Sequence, residues 1–372
     1  MLGVFISDPH KPASRPRLRL VVYLALAKLI VLSSVVFSQG SISGLSRLNA
    51  WDSLIFEAIA EKGYIEPEYY AFSPVYPAII RILHISFGLS YTLSAFLATN
   101  ILSFIFPLIV YETCGYTAAL LTEFMPTYIV FTTLPYSDVI VLTAMGTSIM
   151  LLLRKNVGWR VGLCLSLAVA TFYNMIYTLP AYLFWTIGGG VKSSVDRSIK
   201  VFLPTLLTLF GVVLWYSHAH GVFYYFSLEH KLWGVTLVTP LQQAQWLLDT
   251  NGTGWFTAKT IYVLGLPLTP LYWFLRNIVF EAFYTVGIVL LVLKGKNPAR
   301  FFLEFYSVTV VVPLLLLLGI PAISIPRLLL PAFPAVWGYA AIMSRRDMVV
   351  YLAVCVAGTV WITLNQAYAF FA

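Results

Sequence analysis

From Leu20 to Phe37 the chain runs for 18 residues with a single charge, Lys28. A helix needs about 20 apolar residues to cross the hydrocarbon core of a bilayer, and comparable runs recur down the sequence. Charged residues make up 10% of the chain and hydrophobic ones 60%, against about 25% charged in a soluble domain. That is too little charge to cover a water-facing surface, and the chain is too apolar to stay disordered. The runs are continuous rather than alternating, which argues against an outer-membrane barrel. The expected fold class is an all-α polytopic membrane protein.

The net charge of +8 does not point to nucleic acid, because of where the charges lie. Fifteen of the 23 Lys and Arg fall in five short clusters, at 11–19, 154–160, 192–200, 294–300 and 345–346. Cytoplasmic loops carry such an excess. With these clusters fixed inside, parity gives about 11 transmembrane helices, with the N-terminus inside and the C-terminus outside. The spans are 20–37, 91–111, 115–133, 136–153, 160–174, 176–190, 199–217, 278–293, 301–319, 327–343 and 348–368. Run 74–88 is short and carries Pro74, Pro77, Arg81 and His84, so it reads as an interfacial or re-entrant helix on the outer side. Residues 260–276, with Pro267, Pro270 and Arg276, read as a second interfacial element. The whole of 1–372 is then one membrane domain with two long external loops, at about 39–90 and about 218–277. The basic stretch before Leu20 leads into a full-length span with no obvious cleavage site, so it is read as retained. Cys114, Cys164 and Cys355 show no paired spacing and read as small buried hydrophobes.

This topology puts eight of the 15 acids outside, namely Asp52, Glu57, Glu61, Glu66, Glu68, Asp138, Glu229 and Asp249. Asn174, Arg327, His84, His218, His220 and His230 join them. A site is therefore expected on the outer face. In loop one, apolar residues at 51, 54, 55, 58 and 59 have helical spacing. Gly63 would end that helix, giving an amphipathic surface helix with Asp52 at its start. Read from periodicity alone, Asp52 is a first-turn acid favoured by the helix dipole. The glutamates are a solvated face and Tyr69–Tyr76 an interfacial aromatic belt. Lys28 and Glu123 lie within spans and call for a pairing or functional explanation. His218 and His220 have no third ligand at recognisable spacing, so a metal is not expected. Asn251-Gly252-Thr253 is either an external glycosylation acceptor or an Asn-Gly turn.

The order of blocks after span one adds a resemblance. External Trp51-Asp52, Phe56, Gly63-Tyr64, Glu66 or Glu68, and Ala71-Phe72 with Pro74 and Pro77 resemble the GPI mannosyltransferase II (PIG-V) family of GT-C membrane glycosyltransferases. Pro126 through Tyr136-Ser137-Asp138, Asn174, and Pro326-Arg327 through Pro331 and Pro334 fit the same family in the same order. The chain departs from the pattern at Arg47, which is not adjacent to Trp51, and at Ser73, which replaces a Phe. It also lacks a basic residue near Asn174.

The resemblance implies a GT-C-like fold and a mannosyltransferase that uses a polyprenyl (dolichyl) phosphate donor at the outer or luminal face. Asp52 would be the general base, taking the acceptor's proton. Trp51, Glu66, Glu68, Tyr136, Asp138, Asn174, Arg327 and His218 would bind substrate, with Arg327 suited to the lipid phosphate. No cofactor is implied. The partners would be the lipid-phosphate sugar, a lipid or glycan acceptor and membrane lipids. The membrane would be the plasma membrane in a prokaryote or the endoplasmic reticulum in a eukaryote. A transporter or lipid flippase, a GT-C enzyme with another donor sugar, and a catalytically silent subunit are the alternatives. A transporter should show an internal repeat or paired broken helices at the midplane, and no repeat is evident.

Overall fold

The structure is a computed structural model. It describes residues 14–39, 48–49, 52–187, 191–221, 270–294, 300–314, 317–318 and 325–368, with scattered positions from 224 to 268. Helix α1 is Ser14–Gln39 and α2 is Asp52–Lys62; α3 (Val75–Phe87) and α4 (Tyr91–Cys114) follow. Next come α5 (Tyr116–Glu123), α6 (Pro126–Thr133), α7 (Asp138–Leu153), α8 (Trp159–Thr171), α9 (Leu179–Thr186) and α10 (Val191–Ala219). The last part holds α11 (Pro270–Lys294), α12 (Arg300–Leu314), α13 (Ile325–Leu328), α14 (Trp337–Ala340) and α15 (Arg345–Tyr368). Turns of 3-10 helix occupy Pro67–Ala71, Tyr173–Thr178 and Leu330–Val336.

Among the described residues five helices are long and apolar enough to cross a membrane. They lie at Pro16–Phe37, Tyr91–Cys114, Val191–His218, Asn277–Lys294 and Arg345–Thr363. Each of the other expected spans contains helix, but in shorter or broken pieces. Proline breaks two of them, because it removes a backbone donor and clashes with the preceding turn. Pro126 splits run 115–133 into α5 and α6, and α6 meets α7 at a bend of 119°. Pro331 and Pro334 turn run 327–343 into the end of α13, a 3-10 segment and α14 rather than one helix. Helix α11 begins at Pro270, so the end of the expected interfacial element at 260–276 belongs to it. Run 74–88 is the 13-residue α3, too short to cross.

Two packing groups matter for the site. One large apolar cluster runs through the bundle from Leu20 to Ile362. A smaller one, built on Phe56, Ala60, Tyr76, Ile80, Ala95 and Val139, seats α2 and α3 on the ends of α4 and α7. Helix α2 forms where the spacing predicts, but its buried face is Ser53, Phe56, Ile59 and Ala60, and of the expected apolar positions only Ile59 belongs to it while Leu54 is exposed. Gly63 sits at φ +79°, in the left-handed region where glycine ends helices cheaply.

Lys28 and Glu123 do not pair with each other. Lys28 donates to Asn100 Oδ1 (2.9 Å), to the Thr132 carbonyl and, at 3.4 Å, to Thr133 Oγ1. Asn100 Nδ2 donates to the Thr133 carbonyl at 3.2 Å. These bonds satisfy the last carbonyls of α6, which the 119° bend deprives of helical partners. Both carboxylate oxygens of Glu123 are buried without a partner among the described residues.

Helix α11 meets the 335–338 segment by backbone contact. A Cβ on Gly287 would lie 2.3 Å from the Ala335 carbonyl oxygen, and one on Gly338 would lie 2.2 Å from that of Gly287. Small residues allow such approach between membrane helices. Gly287→Ala should force the pair apart and cost about 1–3 kcal/mol, read as a lowered thermal midpoint in detergent. An unchanged midpoint would show the contact to be compliant.

Candidate active site

Residues up to 275 positions apart in sequence meet at one end of the bundle. Asp52 is the first residue of α2, Asp138 is the first of α7, and Arg327 lies in the short α13. Arg327 Nε donates to both carboxylate oxygens of Asp138, at 3.1 and 3.0 Å, and Nη1 donates to Asp52 Oδ2 at 2.7 Å. The three side chains are 11% (Arg327), 20% (Asp52) and 12% (Asp138) exposed. The guanidinium carbon sits 4.5 Å from the Tyr136 ring centroid and 5.6 Å from that of Phe131, within cation–π range. Burial alone would push the Arg327 guanidinium down. Asp138 and then Asp52 outweigh it and hold the group above its ordinary range, so it stays charged.

Local structure explains the meeting. The bend after α6 turns the chain through Leu134–Ser137, which presents Tyr136 and starts α7 at Asp138. Thr99 Oγ1 donates to the Tyr136 carbonyl at 3.1 Å and lies 2.7 Å from the Tyr76 hydroxyl. Tyr76 also donates to the Ala95 carbonyl and packs edge-on against Phe56 of α2, at 5.1 Å. One chain of contacts therefore fixes the helix that carries Asp52 and the turn that carries Asp138. On the side of Asp138 facing Phe172, Leu330 and Pro331 there is a cavity of only about 10 Å³. A sugar ring does not fit there.

Of the residues singled out in the sequence, Asp52, Asp138, Arg327 and Tyr136 converge. Those of the others that are described do not join them. Glu66 and Glu68 are exposed on either side of Pro67 and form no ion pair among the described residues, as a solvated face would. His218 is exposed in the last turn of α10. Asn174 lies half-buried in the Tyr173–Thr178 turn, with no bond to the Arg327 cluster among the described residues. Trp51, Glu229, His230, Asp249 and Asn251 lie outside the described residues, as does the side chain of Arg276. No three metal-ligating side chains come together among the described residues.

Sequence reasoning missed the aromatic contacts at this end. The Phe131 ring under Arg327 looked like span interior. Tyr64, Tyr70 and Trp215 pack together at 4.8–5.3 Å between rings, and the Tyr216 hydroxyl donates to the Tyr70 carbonyl. These contacts tie loop one to the end of α10.

Glu57 stands one turn after Asp52 on α2, and its Oε2 accepts a 2.7 Å hydrogen bond from Thr92. Burial pushes its carboxyl up, against hydrogen bonds from Thr92 and Asn49 that pull it down. A raised folded-state value means that the unfolded chain gives up this proton first as pH rises. The charge therefore opposes folding above the ordinary carboxylate range and is neutral to it below. Glu57→Gln should raise the thermal midpoint at neutral pH, with the gain vanishing near pH 4. A gain that persists in acid would assign the effect to packing.

No protein-family model matches the sequence, and no curated protein is significantly similar to it. Among solved structures the chain is similar to ArnT from Cupriavidus metallidurans bound to undecaprenyl phosphate. That match has a TM-score of 0.52 at 13% identity, over 90% of this chain and 62% of that one. It also matches ArnT from the same organism in the apo state, with a TM-score of 0.38 at 14% identity over 96% and 78% of the two chains. The chain thus spans 62% of the length of the lipid-bound ArnT chain, and at this identity what is shared is the fold. The protein is an all-α, multi-pass membrane protein that shares the fold of the lipid-bound ArnT structure.

Proposed function

We propose that this protein is a membrane glycosyltransferase that moves a sugar from a polyprenyl phosphate to a lipid or glycan acceptor at the outer or luminal face. The observation that carries the reading is the Asp52–Arg327–Asp138 cluster, assembled from three segments that the basic clusters of the sequence all assign to the outer side. The GT-C fold supports it, and so does the undecaprenyl phosphate bound by the ArnT structure of the same fold. Mannose as the donor sugar rests on the resemblance of the Trp51-Asp52 and Pro326-Arg327 blocks to PIG-V proteins.

With all three groups ionised, the cluster carries one excess negative charge, so one carboxylate is available to take a proton. Asp52 fits that role better, since it is held by one Nη1 contact while Asp138 takes Nε with both oxygens. The acceptor hydroxyl gives its proton to Asp52 as its oxygen attacks the anomeric carbon. The bond from that carbon to the phosphate oxygen breaks, and the lipid phosphate leaves with the electron pair. A single displacement inverts a β-linked donor to an α-linked product and needs no second catalytic carboxylate. Arg327 offers the planar fork that matches phosphate. As a phosphate draws Arg327, the ion pair with Asp52 weakens and Asp52 becomes the stronger base. The chemistry requires no cofactor.

The test is transfer by the purified chain from radiolabelled polyprenyl-phosphate mannose to a membrane-lipid extract. A labelled product that depends on the chain supports the reading. Transfer from other polyprenyl-phosphate sugars but not from mannose would keep the reaction and change the donor. Movement of donor lipid across vesicles without transfer would replace the reading with a flippase.

A further inference from the structure

At the end of the bundle opposite Asp138, an open groove of about 610 Å³ lies between the α7–α8 turn, the end of α9 and the start of α10. Helix α7 separates the two ends by its 16 residues, about 24 Å at 1.5 Å per residue. Lys155 and Arg197 line the groove with Phe184, Trp185 and Ile187. We propose that this groove binds the headgroup of an anionic phospholipid, with its acyl chains lying along the apolar wall.

Three observations carry this. The first is unbalanced charge. Among the described residues neither Lys155 nor Arg197 forms an ion pair, although acids nearby are engaged. Asp196 pairs with Lys200 at 2.6 Å, and Glu112 is shared by Arg17 and Arg154. Arg197 is braced within its own helix by Nε and Nη2 bonds to Ser193.

The second is the backbone of Lys155, at φ 58°, in the left-handed region that non-glycine residues rarely enter. Its N–H donates to the Leu152 carbonyl, as the residue closing a helix does. Glycine would take this position at less cost. What lysine adds there is a cation at the mouth of the groove, and an unfavoured conformation retained at such a position points to a role.

The third is the wall. Phe184 and Ile187 are 51% and 60% exposed, and the exposed Val191, Val195 and Ile199 continue beyond them. A free phosphate has no use for this surface, whereas a phospholipid has an anionic head for the cations and chains for the wall. Basic pockets between membrane helices at the cytoplasmic leaflet bind anionic headgroups. The clusters around this groove are those that the positive-inside rule assigns to that leaflet.

The test uses the full chain in phosphatidylcholine nanodiscs into which phosphatidylglycerol is titrated, read by thermal midpoint and by lipid retained in native mass spectrometry. The wild type should gain stability with phosphatidylglycerol and retain it. Lys155→Gln should weaken its binding about fivefold, and Lys155→Gln with Arg197→Gln roughly thirty-fold. Lys192→Gln, an exposed charge outside the groove lining, should leave binding unchanged. The proposal is overturned if the double variant binds phosphatidylglycerol as the wild type does. It is also overturned if Lys192→Gln costs as much as Lys155→Gln, or if inorganic phosphate alone reproduces the stabilisation. All three basic residues are solvent-accessible, so the variants should fold, and an unaltered elution profile checks this. None of these outcomes depends on the transferase reading.

Discussion

If the chain is the transferase proposed here, Asp52→Asn lowers the rate of sugar transfer by about 10²–10⁴-fold, while the chain still folds and still binds the lipid phosphate. The asparagine oxygen can accept the same bond from Arg327 Nη1 that Asp52 Oδ2 accepts at 2.7 Å. The cluster's excess negative charge disappears, so the substitution does not leave a carboxylate unpaired. What is lost is the proton acceptor. The loss should therefore fall on kcat, with KM for the donor little changed, because the donor is held by other groups. Asp138→Asn makes the comparison informative. It removes the oxygens that receive Arg327 Nε and should disturb the arginine's position, raising KM for the donor as well as lowering kcat. If Asp138→Asn instead abolishes transfer with donor binding intact while Asp52→Asn retains activity, the base is Asp138.

Arg327→Met destabilises the protein by about 3 kcal/mol, in addition to abolishing transfer. Removing one partner of a buried ion pair costs about 3–5 kcal/mol, because the other charge is left desolvated and unpaired. Here two carboxylates lose their cation at once. The lower end of the range applies because Asp52 keeps 20% of its side-chain surface. Adding Asp52→Asn and Asp138→Asn to Arg327→Met should return most of the lost thermal stability but none of the activity. That separation distinguishes the structural role of the arginine from its role towards phosphate. Arg327→Lys keeps the charge but cannot bridge both carboxylates with a planar fork. It should therefore recover stability more than transfer. Full stability in Arg327→Met would mean that the two aspartates are well hydrated in solution and the ion pairs incidental.

The sequence reported the solvent of this fold, and much of its order, through gross features that survive in a single chain. Apolar runs marked the helices, and basic clusters grouped residues that do end up together. Arg17 and Arg154, both assigned inside, share Glu112 at one end, and Asp52, Asp138 and Arg327, all assigned outside, meet at the other. Helix continuity was less legible. Hydropathy sums over a window and does not register the donor that Pro126 or Pro331 withholds, so broken elements read as whole spans. Within the site, Asp52 stood out at the start of an amphipathic surface helix and Arg327 as a lone cation beside a span. Their mutual distance had no local signal, because it is set by Tyr76, Thr99 and the bend after Thr133. Glu66 and Glu68, to which the family block gave a substrate role, are exposed and stand apart from the cluster.

The ion triad has a consequence for how the protein is made. Asp52 leaves the ribosome first, Asp138 next, and Arg327 only after 275 further residues beyond Asp52. Until then the two acids have no shared counter-ion, and the half-helices around the bend after α6 lack the late segments they pack against. A nascent chain interrupted before position 327 cannot close the cluster, however well its early spans have inserted. Completion of the site thus waits for the segment that carries Arg327, and a product truncated before it holds two acids without their shared cation.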